Sequence, residues 1–226
     1  MSDYIVASCR EWHKTPFKNF AKSMPGNWLY VDSTAKLSKI LQSTHARYIF
    51  FLHWNWIVPA DICEKFECVC FHMTDLPYGR GGSPLQNLIL RGHKKTKLSA
   101  LRMTDIVDAG PVYAKCDMEL EGRAEDIYLR AGQLSWEIIR WITENEPSPS
   151  SQHGEVTIFE RRKPNQSILP ENGSLESLND HIRMVDAPGY PLAFIKHGEF
   201  CLEFSHAELR DSEIQARVVI RKKGSG

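Results

Sequence analysis

Two rhythms of apolar and polar positions run along this chain, and the switches between them mark its elements. YIVAS (4–8) is a short apolar run and predicts a buried strand. The polar stretch HKTPFKNFAKSM predicts a helix after Pro16, and NWLYVD (27–32) a second strand. Ser33 can cap a helix over STAKLSKILQSTH, where Leu37, Ile40 and Leu41 repeat at helical spacing. ARYIFFLHW (46–54) is almost continuously apolar, as an interior parallel strand buried on both faces must be. ICEKF reads as a brief connection and ECVCFHM (67–73) as the next strand. This β-α-β-α-β order predicts an α/β fold, a Rossmann-like and mainly parallel sheet flanked by helices, with right-handed crossovers.

The second half changes character. SPLQNLILRG (83–92) has Ser83 at a cap position, Pro84 at the first helical position and Gly92 just past the end. LSALRMT and VYAKCDMEL read as strands joined by DIVDAGP. AEDIYLRAGQLSWEIIRWITEN is the clearest helix, with Ile127, Ala131, Leu134, Ile138 and Trp141 on one face as core. EPSPSSQHG (146–154) has the composition of a linker. Beyond it come EVTIFERR, a helix near SLESLNDHIRMV, a hairpin LAFIKHGEFCLEF turning at His197-Gly198, and a last strand EIQARVVIRK. The predicted division is a main domain over 1–145, a linker over 146–154, and a small α+β extension over 155–223 packed on the core; 224–226 reads as a tag remnant.

Composition narrows the class. With 226 residues and 42% hydrophobic content the chain can bury a real core. Lys+Arg and Asp+Glu both number 28, so there is no basic excess of the kind a large nucleic-acid partner usually asks for. The six cysteines include the cluster Cys63, Cys68 and Cys70 but no CxxC pair, which favours reduced thiols in a cytoplasmic protein over a structural zinc. The first residues lack an apolar signal region, and no run is long enough to span a membrane.

The candidate chemistry lies where glycine and proline crowd together, in FHMTDLPYGRGGSPLQ (71–86). Ligands of open α/β sheets sit beyond the carboxyl ends of the strands, where both Asn55 and His72 are expected. Asp108, in VDAGP, could meet His72 there. An imidazole can take a proton near neutral pH, and a carboxylate beside it would fix its tautomer and stabilise the cation. The alternative is a capped histidine and a turn aspartate.

The stretch HMTDLPYGRGGSPLQNLILRGHKKTKLSALRMTDIVDAGPVY resembles the folate-dependent formyltransferase family. The matching pieces are Cys70-Phe71-His72, Leu76-Pro77, Arg80-Gly81, Pro84-Leu85-Gln86, Gly92 to Thr96, and Asp108-Ala109-Gly110. HWNWIVP (53–59) is similar to the family segment just upstream, so the likeness covers roughly 53–119. The resemblance implies a formyltransferase fold with 1–145 as its catalytic domain, 10-formyltetrahydrofolate as co-substrate, and no metal. It implies that an amine attacks the formyl carbon while His72 takes its proton and Asp108 orients His72. Where the family has asparagine to steady the oxyanion, this chain has Cys70, a poor donor. Asn55 is expected to supply that amide instead; the other outcome is a weak or inactive, binding-only relative.

Further expectations follow from the resemblance. Trp54, Trp56, Ile57 and Asp105 are assigned to the folate pocket; Tyr78, Arg80 and Gly81 to the acceptor side. Arg80 either meets a phosphate or fixes its loop. HIRMVDAPGYPLAF is similar to a segment of sugar-modifying members. The expected acceptor is therefore the amine of a nucleotide-linked amino-deoxysugar in surface-glycan biosynthesis, with no nucleic acid, no membrane and a homodimer as an option. A purine-pathway amine is the other small acceptor in view.

Overall fold

The computed structural model of the chain describes residues 2–222; Met1, Lys223 and residues 224–226, for which a tag remnant was expected, lie outside the described residues. By internal contacts the described residues form two compact units. The first comprises the chain up to Gly81, Lys97–Met118 and Leu129–Ile158; the second comprises Gly82–Thr96, Glu119–Tyr128 and the chain from Phe159 on.

The first unit holds most of a six-stranded sheet. Its strands are β1 (Asp3–Ala7), β2 (Asn27–Val31), β3 (Ala46–Phe51), β4 (Cys68–His72), β6 (Lys95–Arg102) and β7 (Val112–Glu119), in the order β2-β1-β3-β4-β6-β7. The pairs β1–β2, β1–β3 and β3–β4 are parallel, as the hydrophobic runs predict. The β4–β6 pair is antiparallel, with His72 opposite Ser99 and Val69 opposite Arg102. A two-residue strand β5 (Arg80–Gly81) lies between β4 and β6 in the chain. The mainly parallel α/β architecture is the one read from the sequence.

The period of two sorts the side chains onto two faces. Ile5, Ala7, Ile49, Phe51 and Cys68 are buried with Val31 and with Leu37 of α2 (Thr34–Leu41); Ile62 and Cys63 of α3 (Ala60–Lys65) pack against them. On the other face Tyr4 stacks on Trp28 and Tyr48, and Trp28 meets Phe50. That layer continues through Phe20 of α1 (Lys14–Ser23) to Trp136 of α5 (Ala124–Asn145). Burying each such large side chain contributes roughly 1.5–3 kcal/mol.

Four local readings differ from the structure. ICEKF falls in helix α3 up to Lys65, with Phe66 extended just beyond it; six helical residues offer too little periodicity to register. β3 stops at Phe51, since His53 adopts the left-handed region at φ 49°. The core face of α5 is broader than predicted: Ile127, Ala131 and Ile138 are buried as expected and Trp136, Ile139 and Ile142 join them, while Trp141 is 42% exposed. Ser83 precedes α4 (Pro84–Leu90) but has φ 49° and no capping bond; its Oγ accepts the Arg162 N–H instead.

In the second unit α6 (Leu175–Arg183) is capped by Ser174, whose Oγ accepts from Ser177 N. The buried Arg183 donates to the carbonyls of Leu120 and Gly122, which satisfies a charge that burial would otherwise penalise. After the short β8 (Ile158–Phe159), the expected hairpin forms from β9 (Ala193–His197) and β10 (Phe200–Leu209). β11 (Ile214–Lys222) pairs with β10 to make a third strand.

Candidate active site

His72 is the last residue of β4 and shares a sheet face with Cys68 and Cys70. Its ring is nearly closed off from solvent. Nε2 lies 2.7 Å from the carbonyl of Gly79, which can only accept, so this nitrogen carries a proton. Nδ1 faces Asp108, 3.4 Å from Oδ2, with both side chains largely buried. That spacing exceeds an ordinary hydrogen bond and brings an imidazole and a carboxylate together across 36 residues of chain.

Asp108 arrives by an indirect path. β6 ends at Arg102, opposite Val69, near the start of β4. The next amide, Met103 N–H, donates to Cys68. From there the loop must climb four residues of β4, roughly 13 Å at strand rise, to bring Asp108 to His72. Two features shape the loop. Gly110 lies so close to the Arg102 carbonyl that an added Cβ would be 1.8 Å from its oxygen. Asp108 itself sits at φ 54°, a conformation that aspartate tolerates better than most residues. Its Oδ2 accepts the N–H of Gly81 at 2.9 Å, a charge-assisted bond worth roughly 1.5–3 kcal/mol. Gly81 has φ 102°, which favours glycine there.

Arg80 is committed inside the molecule. Its Nε and Nη2 both donate to Oε1 of Gln152, at 3.1 and 2.8 Å. The Nε2 of Gln152 donates to the carbonyls of Asp108 and Gly110, each at 2.8 Å. The segment 146–154 is thus tied down at Gln152, and also at Ser150, which exchanges both backbone bonds with Val112. Sequence reasoning missed Gln152 because a glutamine among serines and prolines looks like any other loop residue.

The other candidates are more scattered. Asn55 is exposed, and among the described residues no hydrogen bond joins it to His72 or Asp108. Trp54 is half-buried, edge-on to Phe51 and to Trp56. Trp56 is 46% exposed and Ile57 93% exposed. Asp105 is also exposed, while Tyr78 is half-buried in the turn where its N–H donates to Asp75. Cys70 is pushed well above the ordinary thiol range by burial and then by the Asp108 charge, so it stays a neutral thiol.

A second feature escaped the sequence reading. His13 Nε2 lies 3.0 Å from His53 Nδ1. Burial lowers His13 to about 4 and His53 to about 3, so both rings are neutral at pH 7. His13 also lines a cleft of about 390 Å³ with Trp12, Phe20, Trp136 and Arg140, and neither His72 nor Asp108 borders it.

A mainly parallel sheet with a buried histidine–carboxylate pair at the carboxyl end of an inner strand defines a Rossmann-like α/β protein with one candidate reaction centre. The fold matches a solved methionyl-tRNA formyltransferase from Clostridium thermocellum with TM-score 0.95 and 42% identity, over 98% of this chain and 100% of that one. The chain belongs to the formyltransferase family. Residues 164–221 match the model described as "Methionyl-tRNA formyltransferase, C-terminal domain". The curated methionyl-tRNA formyltransferase of Rickettsia massiliae (strain Mtu5) is 31% identical over 195 residues, 82% of this chain and 64% of that protein. The chain therefore spans less than two thirds of that curated relative's length. A 4-N formyltransferase from Francisella tularensis superposes with TM-score 0.69 at 15% identity, over 87% of this chain and 93% of that one, a likeness of fold alone.

These likenesses correct two expectations: the nucleotide-sugar acceptor and the exclusion of nucleic acid. The relatives named above at 42% and 31% identity are both methionyl-tRNA formyltransferases. The tail HIRMVDAPGYPLAF, taken as the mark of sugar-modifying members, falls inside the segment that matches the methionyl-tRNA formyltransferase C-terminal model. A net charge of zero was a poor argument against nucleic acid, because a sum over all faces says nothing of any one of them. Among the described residues no helix is long and apolar enough to cross a membrane.

Proposed function

We propose that this chain transfers the formyl group of 10-formyltetrahydrofolate to the α-amino group of methionyl-tRNA. The observation that carries the reading is the end-to-end match, at 42% identity, to a chain solved as a methionyl-tRNA formyltransferase. The buried His72–Asp108 pair supplies matching chemistry. The donor is supported by the family and by a related fold, HypX from Aquifex aeolicus, solved in complex with tetrahydrofolic acid.

In this reading the neutral amine attacks the formyl carbon and forms the new C–N bond. His72 takes the amine's proton at Nδ1, the ring nitrogen left free by the Gly79 bond. The cation so formed finds two oxygens already in place, the Gly79 carbonyl and the Asp108 carboxylate. Collapse of the tetrahedral intermediate breaks the bond to the folate nitrogen, which receives the proton that His72 gives up, directly or through water, and the ring returns to its neutral form. Asp108 orients the ring and balances its charge. Holding amine and formyl carbon together removes up to roughly 7–11 kcal/mol of entropic barrier. Trp54, Trp56, Ile57 and Asp105 are the proposed donor-side residues and Asn55 the proposed oxyanion donor. Tyr78 and Gly81 are the proposed acceptor-side residues, and Arg80 fixes the loop that carries them.

The test is direct. Purified protein is mixed with 10-formyltetrahydrofolate and methionyl-tRNA, and formylmethionine is sought by mass spectrometry after deacylation. Uncharged tRNA and free methionine serve as controls, and His72→Ala as the dead variant. Wild-type protein should make formylmethionine and the folded variant none. No product from the wild type, or equal product from both, defeats the reading.

A further inference from the structure

We propose that Gln152 is a positioning residue for the reaction centre, a side chain that ties the Asp108 loop to Arg80 beside the direct bond from the Gly81 amide to the Asp108 carboxylate. The inference rests on the reading of His72 and Asp108 given above and adds a part to it.

The argument starts from donors and acceptors. A guanidinium can only donate, so the group 2.8 Å from Arg80 Nη2 must be the amide oxygen of Gln152. Backbone carbonyls can only accept, so the group 2.8 Å from both the Asp108 and Gly110 oxygens must be the amide nitrogen. The two requirements agree, and together they use both N–H groups and the oxygen. Glutamate keeps the acceptor but loses the donors; lysine does the reverse; asparagine has the chemistry but is one methylene shorter.

What Gln152 holds is a loop with reason to relax. Asp108 lies at φ 54°. Its carbonyl is held by Gln152 and its carboxylate by the Gly81 amide. Arg80, the residue before Gly81, is held by the same glutamine. The amide thus closes a ring of contacts: Asp108 to Gly81 directly, and Asp108 to Arg80 through Gln152. Without it the carbonyls of Asp108 and Gly110 lose their shared amide donor, and the left-handed backbone of Asp108 is held only by its neighbours in the loop and by the Gly81 N–H on its carboxylate. The 3.4 Å spacing to His72 Nδ1 then loses its definition. Reaction geometry is sensitive at this scale, since a misplacement of about 1 Å can cost on the order of 100-fold in rate.

The experiment compares wild type with Gln152→Met, Gln152→Glu, Asp108→Asn and the double variant Asp108→Asn/Gln152→Met. Two readouts are taken. The first is steady-state formylation of methionyl-tRNA. Gln152→Met should lower kcat roughly 10- to 100-fold, with KM for donor and acceptor within about twofold. In the double variant the losses should not multiply, because both substitutions act on one unit. The second readout needs no activity: the ¹⁵N shifts of the His72 ring, which report which nitrogen carries the proton. Gln152→Met and Gln152→Glu should displace them in the same sense as Asp108→Asn. Unchanged ring shifts in both glutamine variants overturn the proposal, whatever happens to the rate, and so do fully multiplicative losses. If wild-type protein makes no formylmethionine, the proposed acceptor fails and the ring shifts alone decide the role of Gln152. Glutamine 152 is only half-buried, so both substitutions are expected to fold.

Discussion

Acidification should unlock the His13–His53 pair, and the cost can be worked from the structure. His13 is 1% exposed, and burial lowers it from 6.5 to about 4. In the unfolded chain it binds a proton with a midpoint near 6.5. Between those two values the unfolded state holds more protons than the folded one, so stability must rise with pH across this window and fall on acidification. At about 1.36 kcal/mol per unit, His13 alone should withdraw about 2–3 kcal/mol between pH 7 and 4.5. His53, lowered to about 3 by burial first and by His13 next, pulls the same way. The segment at stake is functional in our reading, because Trp54, Asn55 and Trp56 follow His53 directly. The assay is urea unfolding at a series of pH values for wild type and His13→Gln, which keeps a donor toward His53 but does not titrate. Other groups contribute to both curves, so the difference between them isolates the imidazole. The wild-type curve should fall about 2–3 kcal/mol further than the variant's by pH 4.5. Parallel curves would show that His13 is not held neutral by burial and would falsify the argument.

Two further outcomes are expected. Gly110→Ala places a Cβ 1.8 Å from the Arg102 carbonyl oxygen, where backbone meets backbone and neither can yield. It should cost at least about 3 kcal/mol, read as a melting temperature lowered by roughly 6–12 °C; an unchanged value would mean that the loop is not packed as described. Asn55→Ala should reduce formylation more than Cys70→Ser does, because a neutral, poorly donating thiol has little to lose; the reverse ranking would return the oxyanion role to position 70.

The acceptor was misread for a reason the residues make plain. The segment at 181–194 contains none of the residues assigned to the candidate chemistry, so its likeness to one branch of the family could not identify the amine. Identity over the full length did more to separate the branches, and a fold shared at 15% identity did not. Composition misled in a similar way: 28 basic and 28 acidic residues describe the whole surface and no part of it.

What the sequence determined by itself was local and periodic. The 22 residues of α5 were legible from end to end, and the parallel strands from their unbroken apolar runs, because burial on one or both faces writes a period into the chain. His72 was legible as a candidate because strand, glycine and proline surround it within a few residues. Only the tertiary structure decided what distant residues share. It ended β3 early by turning His53 into the left-handed region, added Trp136 to the core face of α5 and left Trp141 outside it, and set His13 against His53. It brought Asp108 up the face of β4 and made Gln152 the clasp of that loop. Such pairings depend on loop paths and on the supply of hydrogen-bond partners, and neither leaves a repeat in the sequence from which to read it.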